Sequence, residues 1–291
     1  MEWTAVAETV APVFALAAVG YLLGAVQRID LSSLTRIVIY LAGPSLVFSG
    51  LSAGPIDTTR TLNLVGGTVV IVIGVGLIVR LFAKATGTRP GALYLPAMFM
   101  NAGNMLLPLS LFAFGETGLR HSIIIFVTAC VLQSSLGVTI ARGRPTLIEM
   151  FRLPYIYAVA AAVAVRAGSL EVWPAAARSI ELLGDMAIPL MLLALGLRLR
   201  SVSVVSWPAA VLVAVARIGG GYAIALLFVG LTGMEGTARS CLLLASVMPS
   251  AVINFIFAET YAREPGDVAT AVVVSTVVSL VTTPLVLAFG I

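Results

Sequence analysis

The run Asn101-Ala102-Gly103-Asn104-Met105-Leu106-Leu107-Pro108 sets two amides, a glycine and a proline inside a long apolar stretch. A second apolar stretch carries Met248-Pro249-Ser250-Ala251-Val252-Ile253-Asn254. Proline removes a backbone donor and clashes with the preceding turn, and glycine weakens a helix, so a helix is expected to break at both places. Exposed half-helix N-termini carry partial positive charge and free N–H groups, which suit an anion such as a carboxylate. Two ionisable residues also lie deep in apolar runs, Asp185 and Arg217. Such groups are costly enough there to count as functional candidates. One reading pairs them across adjacent antiparallel helices, and another makes Arg217 a fixed positive charge. Glu8, Glu116 and Glu259 sit at run ends and read as solvated carboxylates. Cys130 and Cys241 read as small buried thiols, and the single histidine, His121, as a solvated loop residue. No His/Asp/Glu cluster, nucleophile–base pair or phosphate loop occurs, so the chemistry on offer is binding and no enzyme is expected.

Elements of an unusual kind must hold these groups. Of 291 residues, 17 are basic and 13 acidic, 60% are hydrophobic, and the mean hydropathy is +1.09. Soluble domains carry about a quarter charged residues, so a soluble globular protein is excluded. The apolar runs are continuous instead of alternating, which excludes a barrel and leaves membrane-spanning helices. Ten runs reach helical span length, at about 6–26, 32–52, 61–84, 92–114, 119–141, 153–168, 174–198, 206–231, 238–260 and 267–290. The net charge of +4 comes from single basic residues at run ends, which argues for membrane topology and against a nucleic-acid partner. With residue 1 outside, the cytoplasmic loops hold Arg28, Arg36, Arg80, Lys84, Arg89, Arg142, Arg144, Arg152, Arg198, Arg200 and Arg263. The opposite side holds only Arg60, Arg120, Arg166, Arg178 and Arg239. That asymmetry predicts an inner-membrane, multi-pass protein with both termini outside. The acidic start Met1-Glu2-Trp3 argues that the first run stays as a span.

The chain also resembles itself. Phe112-Ala113-Phe114-Gly115-Glu116-Thr117 matches Phe255-Ile256-Phe257-Ala258-Glu259-Thr260 at an offset of 143 residues. Leu41-Ala42-Gly43-Pro44 matches Met186-Ala187-Ile188-Pro189 at an offset of 145. Both offsets are near half the length, which divides the chain into residues 1–145 and 146–291 with five runs each. An odd number of spans per half inserts the second half upside down. Inverted repeats with broken helices in corresponding places mark the midplane site of a secondary transporter.

The spaced residues Asn101-Ala102-Gly103-Asn104…Pro108, then Phe114-Gly115 and Gly118-Leu119, resemble the fourth-span motif of the auxin efflux carrier family. Ile188-Pro189-Leu190…Leu195-Gly196, Met248-Pro249-Ser250-Ala251…Ala258-Glu259-Thr260-Tyr261 and Ser275-Thr276…Ser279-Leu280…Thr283-Pro284-Leu285 add to the resemblance along nearly the whole chain. It implies an all-α membrane protein of ten helices in two inverted five-helix repeats, with helices 4 and 9 broken and crossed, as in the bile-acid sodium symporter fold. It implies a scaffold of spans 1, 2, 6 and 7, at about 6–52 and 153–198, and a mobile core of spans 3–5 and 8–10, at about 61–141 and 206–290. The implied cargo is a small organic anion, auxin-like or malate- or malonate-like, moved by an elevator-type shift.

Carried over by position, Asn101, Asn104 and Pro108 form one side of the crossover, and Pro249, Ser250 and Asn254 the other. With the domains so divided, an Asp185–Arg217 contact would gate movement of the core, while Arg217 alone could stand in for a sodium ion. The crossover holds no carboxylate, which argues against obligatory sodium coupling and leaves sodium or proton coupling open, with no cofactor. Leu106 stands where the family usually has glycine, which implies a narrower pocket. Membrane lipid and a second copy docked through the scaffold are the other implied partners. The alternatives are a sodium-coupled bile-acid-type symporter and a non-transporting sensor that binds a lipid-like ligand.

Overall fold

The computed structural model describes residues 1–54, 57–87, 91–200 and 207–291. Arg89, one of the cations expected in a cytoplasmic loop, lies outside them. Every regular element among the described residues is helical, and the β structure is one isolated antiparallel bridge between Met100 and Ser250. The helices are α1 (Trp3–Val26), α2 (Leu31–Ser52), α3 (Thr58–Thr86), α4 (Tyr94–Met98), α5 (Ala102–Arg142) and α6 (Pro154–Ala167). They continue with α7 (Pro174–Arg200), α8 (Trp207–Thr232), α9 (Gly236–Ser246), α10 (Ile253–Thr260) and α11 (Pro265–Gly290). By length and composition, seven of them (α1, α2, α3, α5, α7, α8 and α11) can cross a membrane.

Burial is turned inside out relative to a soluble protein. Leu22, Val26, Leu62, Leu81, Leu227, Leu231 and Val281 are exposed, while Thr68, Ser110, Ser122, Asn254, Ser275 and Ser279 are fully buried. Large apolar side chains facing outward around a polar-bearing interior suit hydrocarbon as the solvent. The chain is an integral membrane protein built of helices.

The longest run, α5, is two arms and not one straight helix. Gly115 has φ 62° and ψ −158°, a backbone region that only glycine enters without strain. In a straight helix Ser110 and Ser122 would stand about 18 Å apart, yet the Ser122 hydroxyl donates to the Ser110 hydroxyl at 2.6 Å. The chain therefore turns back at Gly115 into a first arm, 102–114, and a second arm, 116–142. They overlap the separate runs expected at 92–114 and 119–141, the first of which also takes in α4 and the break at 99–101. His121, expected in a solvated loop, is a half-buried residue of the second arm, because the turn is a single glycine long.

Close backbone contact joins α1 to α7. A Cβ on Gly196 would run into the Ala17 carbonyl oxygen, and one on Gly20 into that of Leu193. Small residues let membrane helices approach this closely, where dispersion replaces the hydrophobic effect as the cohesive force. The helix α2 packs on α6 and α7, whereas α3 packs on α4, α5, α8 and α9, and α8 packs on α11.

Candidate functional site

The two broken stretches meet. Between α4 and α5 the chain is extended over 99–101, and between α9 and α10 it leaves helix at 247–252. The extended pieces run antiparallel: the Asn101 amide donates to the Pro249 carbonyl at 2.7 Å, and the Ala251 amide donates to the Phe99 carbonyl at 2.9 Å. A two-rung bridge satisfies backbone groups that hydrocarbon would leave stranded. It also forces four half-helices to end at one point.

Side chains lock this crossing. The Asn254 amide nitrogen donates to the Phe99 carbonyl at 3.1 Å and to the Ser250 hydroxyl at 3.0 Å. Its oxygen accepts from the Gln133 amide at 2.7 Å. The Ser250 backbone N–H donates to the Ser275 hydroxyl at 3.1 Å. Asn101 caps the start of α5, its side-chain oxygen accepting from the Asn104 N–H at 3.2 Å. The Asn101 side-chain nitrogen is enclosed and has no hydrogen-bond partner among the described residues.

The four half-helix ends are sorted by polarity. The first turns of α5 (Ala102, Gly103, Asn104) and of α10 with its approach (Ala251, Val252, Ile253) line one cavity of about 170 Å³. Their N-termini bring partial positive charge to it. The C-terminal ends of α4 and α9 belong to Arg217, which is fully buried. Its guanidinium donates to the Met98 carbonyl at 2.7 Å, to Ala97 at 3.3 Å and to Ser246 at 3.3 Å. One planar cation thereby caps the carbonyl ends of both broken helices, where the helix dipole is negative.

The sequence-expected residues therefore separate. Asn101 and Asn104 line the cavity. Pro249, Ser250 and Asn254 belong to the bridge and its bonds without lining the cavity. Pro108 is elsewhere: it lies inside the first arm of α5, directly after the π-helical turn Ala102–Leu106, and the break precedes it at 99–101. Leu106 is fully buried in packing and does not narrow the cavity. Asp185 and Arg217 are not paired, because Asp185 is exposed at the end of the helix Pro174–Asp185 while Arg217 bonds carbonyls inside the bundle.

Three contributors were missed. Gln133 lines the cavity and holds Asn254, and a lone amide in the fifth apolar run was signal enough. Ser275 was quoted only as part of a motif. Arg198 also lines the cavity, its guanidinium 5.3 Å from the Phe255 ring centre. It reads in sequence as a loop cation, and its placement at the cavity depends on how α7 packs.

A family profile described as Membrane transport protein matches residues 5–151 and 144–287. The chain belongs to that family. This is the auxin efflux carrier family whose motifs the chain resembles, and membership makes the protein a transporter and not an enzyme. An "Uncharacterized transporter" of Methanocaldococcus jannaschii is 27% identical over 291 residues, covering 92% of this chain and 93% of the relative. Another "Uncharacterized transporter", of Methanothermobacter thermautotrophicus, is 27% identical over 300 residues, covering 96% of each.

Proposed function

We propose that this membrane transport protein carries a small organic anion, bound in the cavity beside the crossing of α4/α5 with α9/α10. The observation that carries the proposal is the sorting of half-helix ends: two N-termini turned to the cavity, two C-termini capped by Arg217. An anion gains from the N-terminal dipoles and free N–H groups. Asn101 contributes a donor left unbonded among the described residues, and Arg198 contributes a guanidinium at the cavity wall. A cavity of about 150 Å³ holds benzene, so about 170 Å³ suits a cargo of a few carbon atoms.

The reading extends to ten spans in two inverted halves, 1–145 and 146–291. The hairpin at Gly115, which makes two passes of α5, supports it, as does the pair of broken stretches that meet at Met100 and Ser250. In this reading α1, α2, α6 and α7 form a scaffold against which the remaining helices slide as an elevator. The cavity lies between the two groups: α2 and α7 provide Thr35, Val38, Met191 and Arg198, and the crossing provides the opposite wall. Arg217 supplies positive charge between the half-helix C-termini, so coupling to sodium is not required.

The test is uptake of labelled mono- and dicarboxylates into proteoliposomes, beside a thermal-shift screen with and without sodium. A ligand at 100 times its Kd stabilises the folded state by about 2.7 kcal/mol. A carboxylate should both shift the midpoint and enter the vesicles, and Asn104→Leu and Arg198→Gln should remove both effects from a folded protein. A ligand that shifts the midpoint without entering identifies a sensor. If no carboxylate does either, the cargo class is wrong.

A further inference from the structure

A second cavity is larger than the one at the crossing. It measures about 380 Å³ and lies among the end of α2, the start of α3, the start of the second arm of α5 and the C-terminal half of α6. It shares no lining residue with the crossing cavity. Gln133 of one and His121 of the other are on the same helical arm, about 18 Å apart at 1.5 Å per residue. On the crossing side, the Phe126 and Tyr155 rings pack edge to face at 5.0 Å in that cavity's wall.

The lining divides by depth. Asp57, Arg60, Arg120 and His121 come from the N-terminal ends of their helices. One or two turns further in, the wall is Val65, Ile124, Val127 and Val159. The charge at the mouth is unbalanced. Asp57, the one carboxylate, already serves Arg60: its side chain accepts from the Arg60 N–H at 2.9 Å and stands 3.7 Å from the Arg60 guanidinium. Arg120 is tied through Nε to the Glu116 carbonyl at 3.3 Å, and its guanidinium lies flat over Gly54, where a Cβ would collide with it. That leaves the fork of Arg120 and the imidazole of His121 on the cavity beside apolar walls.

We infer that this cavity is a second binding site, separate from the crossing, for an anion with one short hydrocarbon tail: an alkyl phosphate or an alkyl carboxylate. An arginine fork matches the paired oxygens of either headgroup, and the valine and isoleucine wall takes the tail out of water. A bare inorganic anion would forgo the second gain, and a neutral lipid the first. The inference does not depend on the cargo proposed for the crossing. The ligand chemistry has two sources, a free amphiphile or an anionic membrane lipid.

Hexyl phosphate is the probe, titrated calorimetrically into protein held in nanodiscs of phosphatidylcholine. Saturable one-to-one binding is expected, at least tenfold tighter than that of inorganic phosphate. The double variant Arg120→Gln/His121→Gln should weaken it at least tenfold, and Val159→Phe, which fills the wall and keeps the charge, should do the same. Asn104→Leu at the crossing should leave it unchanged. Nanodiscs containing phosphatidylglycerol assign the source: loss of hexyl phosphate binding there identifies membrane lipid as the occupant, and retention identifies a free amphiphile. The inference falls if inorganic phosphate binds as tightly as hexyl phosphate. It also falls if either cavity variant binds normally, or if Asn104→Leu abolishes the signal.

Discussion

Replacing Arg217 with leucine removes the one group that holds the carbonyl ends of α4 and α9 together. Three buried acceptors, on Ala97, Met98 and Ser246, lose their donors at once. An unsatisfied buried polar group costs about 1–3 kcal/mol. Removing the favourable cation at two helix C-termini costs about 0.3–1 kcal/mol each. Against this, the fully buried guanidinium is itself expensive to desolvate, and leucine is not. The expected net loss is about 3 kcal/mol, which corresponds to a midpoint drop of roughly 6–12 °C. Arg217→Lys keeps the charge, but a compact ammonium cannot reach both helix ends as the fork does, so it should fall between. The assay is the thermal midpoint of purified protein in detergent, read by size-exclusion after heating. Asp185→Asn is the control, since that carboxylate is exposed and unpaired with Arg217, and it should leave the midpoint unmoved. Arg217→Leu within about 1 °C of the parent, or Asp185→Asn and Arg217→Leu showing equal losses, would refute the capping role.

Asn254→Leu should lower the thermal midpoint, with a loss of about 2–4 kcal/mol. It strips partners from Gln133 and Ser250 in a fully buried site, so the outcome is a weakened fold and not merely lost binding. Gly196→Val should separate α1 from α7 and reduce the yield of monodisperse protein, whereas the same change at Gly230, where a Cβ meets nothing within 4 Å, should be tolerated. Single cysteines placed beside Arg28 and Arg144 should react with an impermeant maleimide only from the cytoplasmic side; labelling from outside would invert the proposed topology. At the crossing, Asn101→Leu should lower anion affinity by removing the unbonded side-chain nitrogen, and should cost about 1 kcal/mol of stability by removing the oxygen that caps the Asn104 N–H.

Helix content and membrane residence were legible in composition alone, because no other solvent tolerates an outer surface of Leu22, Leu227 and Val281. The places where helices fail were legible too, since Gly103, Pro249 and their neighbouring amides are local features that act on their own backbone. Sequence reasoning went astray where the answer depended on which groups meet across space. Pro108 looked like the breaker of the fourth run, but the helix continues through it after the π-helical turn Ala102–Leu106, and the break falls before Ala102 because Phe99 and Asn101 bond instead to 249–251. Asp185 and Arg217 lie at similar depths in adjacent runs, yet depth says nothing about azimuth. Packing turned one outward and gave the other three carbonyls from residues 29 to 120 positions away. Local propensity determines where a helix starts and stops. The choice of which half-helix ends converge on one cation, and which on one cavity, belongs to the tertiary structure, because those ends are satisfied only by residues distant in the chain.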